Sequence, residues 1–424
     1  MLSLAQVCRC SHYLRAPSRV LLSSTKSHGT LPSRQLLTPA QWNHTTKGLR
    51  ISEIIKRNGI VARFCASSPK PKSTKIVGYW LLGCSGMVFT AVVLGGVTRL
   101  TESGLSMVTW KLLGEKLPRT EEEWQAEFEI YKQFPEYKYK NMNITLSEFK
   151  WIWWMEFAHR SWGRAIGAAM FLPATFFWLR GYLDKAMKLR VAGYCVLVGA
   201  QGLMGWYMVK SGLEDRFQGP CDVPRVSQYR LASHLGLAFL LYAGLLSGAL
   251  RMLRPAPVGA LYRKVKELSA LTAVANTVKG MAFITALSGA FVAGLDAGLV
   301  YNSFPKMGDH WIPDDILAFS PKLRNFTENP TTVQFDHRIL GTSTLLAATV
   351  LWVMSRGKPL SPVARRVANA VGAMAWLQVT LGFLTLLYYV PTPLAATHQS
   401  GSLTLLTLAV WLTHEIKLLK YIPK

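Results

Sequence analysis

Eight long apolar segments constrain the fold of this chain more than any other feature of its sequence. A helix needs about 20 residues to cross a hydrocarbon core of about 30 Å, and each segment is close to that length. Half of the 424 residues are apolar and only 17% are charged, a composition typical of multi-pass membrane proteins. We therefore predict an all-α membrane protein with eight transmembrane helices. The predicted spans are 76–97, 159–179, 191–210, 232–253, 275–295, 338–355, 367–388 and 395–416.

A basic, acid-poor segment precedes the first predicted span. The first 75 residues contain 13 Lys or Arg and one acid, Glu53, which gives +12 of the formal net charge of +25. This composition is typical of a mitochondrial transit peptide, and a basic arm for nucleic acid or anionic lipid is the alternative. Because the rest of the chain is much less basic, we predict no nucleic-acid partner. The predicted regions are a transit peptide and matrix leader 1–70, a helical half 76–253, a matrix linker 254–274 and a second half 275–417.

The connections between the predicted spans alternate in charge. The second, fourth and sixth are rich in Lys and Arg, whereas the first nearly balances its charges, the fifth is net acidic and the seventh is uncharged. By the positive-inside rule, both termini and the even-numbered connections face one compartment. For a protein of the mitochondrial inner membrane, that compartment is the matrix.

The two halves repeat the same motifs in the same order. Met155–Arg160 in span 2 matches Val333–Arg338 in span 6, and Gln201–Gly205 in span 3 matches Gln378–Gly382 in span 7. Because four spans separate the copies, both repeats have the same orientation across the membrane. The sequence therefore predicts two parallel-repeat four-helix bundles. Two shorter matches are Ser233–Leu235 with Thr397–Gln399 and Glu102–Leu105 with Asp296–Leu299.

Each predicted bundle has two histidines at helix starts. His159 and His234 open spans 2 and 4, and His337 and His398 open spans 6 and 8, at similar depth. Two imidazoles on facing helices can bind a haem iron from both sides. Zinc would need further ligands nearby, and the six cysteines form no CxxC pair. A single histidine could equally be an interfacial residue, but four in register favour haem.

Three arginines lie close to these histidines in the sequence. Arg160 and Arg338 directly follow His159 and His337, and Arg164 lies one helical turn beyond Arg160. A guanidinium binds carboxylates in a bidentate manner, so these residues are candidates for contacts with haem propionates. Arginines that extend to the membrane interface are the alternative.

The most informative difference between the repeats lies at one position. Glu156 lies three residues before His159, whereas Gln334 occupies the equivalent position before His337. We predict that Glu156 takes part in proton-coupled chemistry in the N-terminal half, while the C-terminal half binds a fixed redox cofactor. A glutamate that only stabilises the helix dipole is the alternative.

Four long motifs resemble the mitochondrial form of the heme A synthase family. They are Gly95–Leu105, Met155–Arg160, Ala293–Gly308 and Gln334–Arg338, and the resemblance covers about residues 76–417. It implies oxidation of the C8 methyl group of heme O to a formyl group, which gives heme A for cytochrome c oxidase.

The resemblance also implies cofactors, partners and site residues. Heme b would be the cofactor, with its iron bound by His337 and His398. The substrate heme O would lie between His159 and His234, with Glu156 as the functional carboxylate. Ferredoxin and its reductase would supply electrons, heme O synthase is a candidate partner, and inner-membrane lipid surrounds the spans.

Two other classes of protein share these sequence features. A dihaem electron-transfer cytochrome would use the four histidines and would not need Glu156. A transporter built from a parallel repeat would use the histidines as proton relays. Acid extraction of the pigment distinguishes them: heme O or heme A indicates a synthase, heme B alone a cytochrome, and no haem a transporter.

Overall fold

The computed structural model describes residues 74–112, 114–214, 224–257, 261–262 and 265–422. The predicted leader 1–70 lies outside the described residues. The described part of the chain is α-helical apart from one pair of two-residue strands, so the predicted all-α class is confirmed. The helices are α1 Thr74–Leu100, α2 Glu121–Tyr131, α3 Pro135–Tyr139, α4 Leu146–Leu179, α5 Lys185–Leu213, α6 Gln228–Leu253, α7 Ser269–Gly294, α8 Asn325–Glu328, α9 Pro330–Arg356, α10 Pro362–Leu387 and α11 Thr392–Leu418.

Eight of these helices have 26 residues or more. Five of the eight are long and apolar enough to cross a membrane, namely α1, α6, α7, α9 and α10. The other three, α4, α5 and α11, are at least as long, but none has a stretch of 18 residues that is both apolar enough and poor enough in charge to be a candidate span. In α4, for example, Glu148, Lys150 and Glu156 lie within the first three turns.

Several helices begin earlier than the apolar segments predicted. Helix α4 begins at Leu146 rather than at 159, because Thr145 and Glu148 form a capping box at its N-terminus. Helix α9 begins at Pro330 rather than at 338, and the Asn329 side chain accepts a hydrogen bond from the Thr331 N–H at 2.9 Å. Because the capping groups lie in polar sequence, each helix begins with polar turns that do not belong to the predicted apolar span. As a result, His159 and His337 lie inside their helices rather than at the first residue.

The predicted linker 254–274 has structure of its own. It contains strand β1, Leu261–Tyr262, which pairs antiparallel with β2, Tyr421–Ile422, after the last helix. A 3₁₀ turn, Lys266–Leu268, then leads directly into α7, which begins at Ser269 rather than at 275. The linker is therefore shorter than predicted, and strand pairing connects it to the C-terminal end of the chain.

The long helices form two sets with the same pattern of contacts. In the first set, α1 and α5 each pack against α4 and α6. In the second set, α7 and α10 each pack against α9 and α11. Helix α11 also contacts α1 and α6, and α6 contacts α7, so that the two sets pack together within one compact unit.

Each set of helices encloses an apolar core, while other apolar side chains point outwards. Leu81, Met170 and Phe239 are fully buried in the first core, and Leu271 and Leu351 are buried in the second. The outward faces of the long helices also carry leucines, several of them more than 60% exposed. These include Leu172, Leu179, Leu189, Leu203 and Leu346. An apolar outer face of this kind is unusual for a protein surrounded by water.

The connection between α1 and α4 contains a third, aromatic core. Helices α2 and α3 pack their aromatic residues against the first turns of α4, where the Phe128 and Phe149 rings stack at 4.9 Å. On α4 itself, Trp153 stacks on Phe157 with ring centres 5.1 Å apart. This core lies directly N-terminal to His159 and fixes the part of α4 that carries Glu156.

Candidate active site

Each of the four predicted histidines packs against a glycine of a neighbouring helix. A Cβ atom built on any of these glycines would lie within 3.2 Å of an imidazole atom, so a larger residue would displace the ring. The glycines come from the first and third helices of each set, which repeats the same arrangement twice. The pairs are His159 with Gly95, His234 with Gly205, His337 with Gly289, and His398 with Gly382.

The C-terminal pair has the spacing of two axial haem ligands. The ring centres of His337 and His398 are 6.4 Å apart, and the ring planes are inclined at 87°. An iron midway between two imidazoles, about 2 Å from each nitrogen, separates the ring centres by about 6 to 6.5 Å. These two side chains therefore fit a haem iron.

Both imidazoles of the C-terminal pair have hydrogen-bond partners at Nδ1. The Ser288 hydroxyl lies 2.7 Å from Nδ1 of His337. Nδ1 of His398 lies 3.1 Å from the backbone oxygen of Gln378, whose side-chain amide donates to the His398 backbone oxygen at 2.7 Å. On each ring, Nε2 is the nitrogen left for a metal.

The N-terminal pair lacks such partners. The side chains of His159 and His234 are partly buried. Nδ1 of His234 is buried with no partner among the described residues, and His159 makes no hydrogen bond within that part of the chain. The His159 ring is also turned differently, because its Nε2 is the atom nearest to Gly95, whereas Cε1 of His234 is nearest to Gly205.

Glu156 is buried and surrounded by hydrogen-bond donors. One carboxylate oxygen accepts from the Met107 N–H at 2.6 Å and lies 2.8 Å from the Ser106 hydroxyl. The other accepts from Arg160 at 2.5 Å. The carboxylate therefore connects α4 to the segment that follows α1, one helical turn from His159. This contact partner on the first connection was not predicted from the sequence.

Gln334 occupies the equivalent place in the C-terminal half but is surrounded by acceptors. Its side-chain amide donates to the Ala297 oxygen at 2.7 Å and to the Tyr301 oxygen at 3.2 Å. Its carbonyl oxygen accepts from Arg338 at 3.0 Å. The segment opposite Glu156 presents hydrogen-bond donors, which a carboxylate can accept, whereas the segment opposite Gln334 presents carbonyl oxygens, to which an amide can donate.

The three predicted arginines bind backbone carbonyls of the connections. Arg160 donates to the Met107 and Thr109 oxygens at 2.7 and 2.6 Å, and Arg164 donates to the Lys111 oxygen at 2.7 Å. Arg338 donates to the Tyr301 oxygen at 2.9 Å. Two of these arginines each have one buried nitrogen with no partner among the described residues. The nitrogens are Nη1 of Arg164 and Nε of Arg338.

Comparison with known proteins gives a consistent result. The COX15-CtaA family model, described as cytochrome oxidase assembly protein, matches residues 78–410. A heme A synthase COX15 from Mus musculus is 53% identical over 93% of both chains, and one from Homo sapiens is 54% identical over 91% of both. A heme A synthase-mitochondrial ferredoxin fusion protein from Schizosaccharomyces pombe is 40% identical over 81% of this chain and 60% of its own length.

This chain belongs to the heme A synthase family. The matched region contains all four histidines, Glu156 and the three arginines. The predicted resemblance to heme A synthase is therefore confirmed. The individual roles of these residues in this chain stay predictions.

Sequence reasoning missed the groups that contact the histidines. Gln378 was recognised only as half of a repeated motif, although the repeat places it one turn before Gly382 on the same helix. Ser288 immediately precedes Gly289, and nothing in the sequence alone distinguishes it from other serines in apolar helices.

Proposed function

We propose that this protein oxidises the C8 methyl group of heme O to a formyl group and so produces heme A for cytochrome c oxidase. The observation that carries the proposal is the duplicated histidine–glycine site, of which only one copy has a buried carboxylate next to the histidines. Two successive hydroxylations convert the methyl group to an alcohol and then to a hydrate, which loses water to give the aldehyde. In this proposal, each hydroxylation consumes one O₂, two electrons from the donor and two protons, places one oxygen atom on the carbon and releases the other as water.

In this proposal, the C-terminal pair retains a permanent b-type haem. The spacing and inclination of His337 and His398 support axial ligation of one iron. When bound there, the haem supplies electron transfer, which protein side chains cannot provide. The side chain of Arg338 has one buried nitrogen available for a propionate.

The N-terminal pair binds the substrate haem in this proposal. His159 and His234 approach the substrate iron, while Arg160 fixes the Glu156 carboxylate and Arg164 has one buried nitrogen available for a propionate. Glu156 can accept or return a proton close to the substrate, and the donors around it keep its oxygens in place.

We propose further that all eight long helices cross the mitochondrial inner membrane as two parallel repeats. The matching contact patterns of the two helix sets support the repeat, and the exposed leucines on their outer faces support contact with lipid. The charge of the connections favours both termini in the matrix.

A test of this topology uses the first connection, 101–145. Protease added to mitoplasts should cut this connection and leave a C-terminal tag intact, because the tag lies in the matrix. Digestion of the tag while a matrix marker stays intact would overturn the arrangement.

A ferredoxin and its reductase are the proposed electron donors. The support is the Schizosaccharomyces pombe relative, whose name describes a fusion of heme A synthase with a mitochondrial ferredoxin. Heme O synthase is the proposed source of substrate, because heme O is insoluble in water and benefits from direct transfer. Lipid of the inner membrane completes the set of partners.

Pigment analysis of the purified protein tests the proposed function. Acid-extracted haem should include heme O or heme A in addition to heme B. Supply of heme O with reduced ferredoxin should increase the heme A fraction. Heme B alone would indicate an electron-transfer cytochrome, absence of haem would indicate a transporter, and either result would overturn the proposal.

A further inference from the structure

The two histidine pairs differ in what contacts the ring nitrogen Nδ1. We propose that Ser288 and Gln378 are positioning residues, which fix His337 and His398 in the tautomer that carries its hydrogen on Nδ1. The C-terminal pair therefore retains its haem, whereas the N-terminal pair, which has no such partners among the described residues, exchanges its haem. The identities of the two haems in this inference rest on the proposed function.

The hydrogen-bond arrangement around Ser288 determines the tautomer of His337. The Ser288 hydroxyl has one hydrogen, and its oxygen lies 2.8 Å from the Thr285 backbone oxygen, which can only accept. The hydroxyl therefore donates to Thr285 and accepts from Nδ1 of His337 at 2.7 Å. Nδ1 then carries the hydrogen, and the lone pair on Nε2 is free for iron.

His398 reaches the same tautomer through a different group. Its Nδ1 lies 3.1 Å from the Gln378 backbone oxygen and 3.1 Å from the Gln378 side-chain nitrogen. The hydrogen on Nδ1 is directed to the backbone oxygen, which can only accept, while the side-chain nitrogen already donates to the backbone oxygen of His398. The Gln378 side-chain amide donates to the backbone oxygen of His398 at 2.7 Å and so fixes the position of α11 next to α10. Both ligands thus present Nε2 before any haem binds.

The equivalent positions in the N-terminal half cannot do this. The repeat aligns Gly95 with Gly289, which places Leu94 where Ser288 lies, and leucine has no hydroxyl group. It also aligns Gln201 with Gln378, but Nδ1 of His234 is buried with no partner among the described residues, whereas Nδ1 of His398 contacts Gln378. Because Nε2 of His159 lies against Gly95, this ring must turn to present Nε2 to an iron.

The difference in contacts at Nδ1 predicts a difference between the two histidine pairs in their affinity for iron. A hydrogen bond from the second ring nitrogen orients an imidazole and raises its basicity, and its loss typically weakens metal binding by about 10- to 100-fold. A substrate haem must leave after each turnover, so ligands without such partners suit it. A resident haem must stay, so fixed ligands suit that site.

The test uses the full-length protein with its native haem and does not depend on turnover. We expect Ser288→Ala to transfer b-type haem to apomyoglobin about 10- to 100-fold faster than wild type. We also expect a higher midpoint potential, because a less basic ligand stabilises ferric iron less. Ser288→Thr retains a hydroxyl and should restore both properties.

Ser400→Ala is the matched control, because the Ser400 hydroxyl donates to Ala396 within its own helix, two residues after His398. Gln378→Leu should have a smaller effect than Ser288→Ala, since the backbone acceptor remains, and Gln201→Leu should leave the b-type haem unchanged. If Ser288→Ala does not accumulate in folded form, the comparison of Gln378→Leu with Gln201→Leu decides.

Equal haem transfer and equal potential for Ser288→Ala and Ser400→Ala would overturn the inference. Equal behaviour of Gln378→Leu and Gln201→Leu would do the same. If the wild type contains b-type haem but does not oxidise heme O, the proposed function fails. The variants can still be compared in haem transfer and midpoint potential, so the positioning roles of Ser288 and Gln378 are tested separately.

Discussion

The N-terminal and C-terminal helix sets share their histidine–glycine contacts but differ in the polar groups around them. In the C-terminal set, Ser288 and Gln378 contact the histidines, and Gln334 donates to carbonyls of its connection. In the N-terminal set the histidines lack such contacts within the described residues, and Glu156 accepts from donors of its connection. The two sets therefore place their histidines through the same helix packing and differ in the polar groups around them.

The largest effect is expected from removal of a C-terminal ligand. His337→Ala should eliminate stable b-type haem and abolish heme A formation, because one axial bond to iron is lost. The absorption spectrum of the purified protein measures the haem. His414→Ala is the matched control, since this histidine contacts the Arg254 backbone oxygen and neither haem site. A normal low-spin spectrum in His337→Ala would remove this pair from the ligand set.

The second largest effect concerns the carboxylate that only the N-terminal set has. Glu156→Gln should reduce heme A formation by about 10² to 10⁴, the range typical of general acid–base groups, while b-type haem is retained. The amide would also place N–H groups opposite the Met107 N–H and Arg160, so the first connection must be checked. Heme A formed per b-type haem is the measurement.

Limited proteolysis of residues 101–145 separates the two causes of this loss. If the connection stays protected and turnover falls, Glu156 acts in the chemistry. If the connection becomes accessible, its role is to fix that segment. Wild-type turnover would exclude both roles. The reciprocal variant Gln334→Glu places a carboxylate opposite the Ala297 and Tyr301 oxygens and should destabilise the C-terminal site instead.

Two glycine substitutions should produce effects confined to one half each. Gly95→Ala places a Cβ 2.9 Å from Nε2 of His159, and Gly289→Ala places one 3.2 Å from Cε1 of His337. The first should reduce bound heme O with little loss of b-type haem, and the second the reverse. Gly86→Ala and Gly280→Ala are matched controls on the same helices, since a Cβ there meets nothing within 4 Å. Equal loss of both haems in either variant would contradict the assignment of separate sites.

The smallest effect concerns the stability of the first connection, which carries α2 and α3 in the N-terminal half. Burial raises the pKa of Glu136 from 4.5 to about 8, against the hydrogen bond from Tyr131 and with a further contribution from Glu156. Because the folded-state pKa lies above the unfolded value, the connection should lose stability as the pH rises from about 4.5 to about 8 and then stay constant.

The variant Glu136→Gln tests this dependence. It should make the rate of proteolysis of the connection independent of pH in that range, whereas wild type should be cut faster at pH 9 than at pH 6 once the intrinsic pH dependence of the protease is subtracted. Glu148→Gln is the control, because its carboxylate is exposed to solvent and belongs to the helix cap. If the rate of proteolysis depends on pH in the same way in Glu136→Gln and in wild type, groups other than Glu136 cause the pH dependence.

The sequence predicted the helical class, because apolar runs of helical length leave a local pattern. The roles of the four histidines and the two-repeat architecture rest on repeated motifs and stay predictions. It did not predict the contacts of Glu156 with Ser106 and Met107, because these join segments about 50 residues apart. Nor did it predict that Arg160 donates to backbone oxygens, since a carbonyl acceptor has no side-chain signature. The helix starts at Leu146 and Pro330 were not predicted, because the residues that cap these helices are polar and lie outside the apolar runs.

The contact between the first and last long helices has a consequence for assembly of the protein. Gln399, the neighbour of His398 on α11, donates to the Val92 oxygen of α1 at 2.9 Å and packs against Gly96. Gly96 adjoins Gly95, which contacts His159. Helix α11 follows the other described long helices in the chain, so the surroundings of His159 are completed only after α11 is inserted. A chain that stalls before α11 lacks both His398 and the contact of Gln399 with α1.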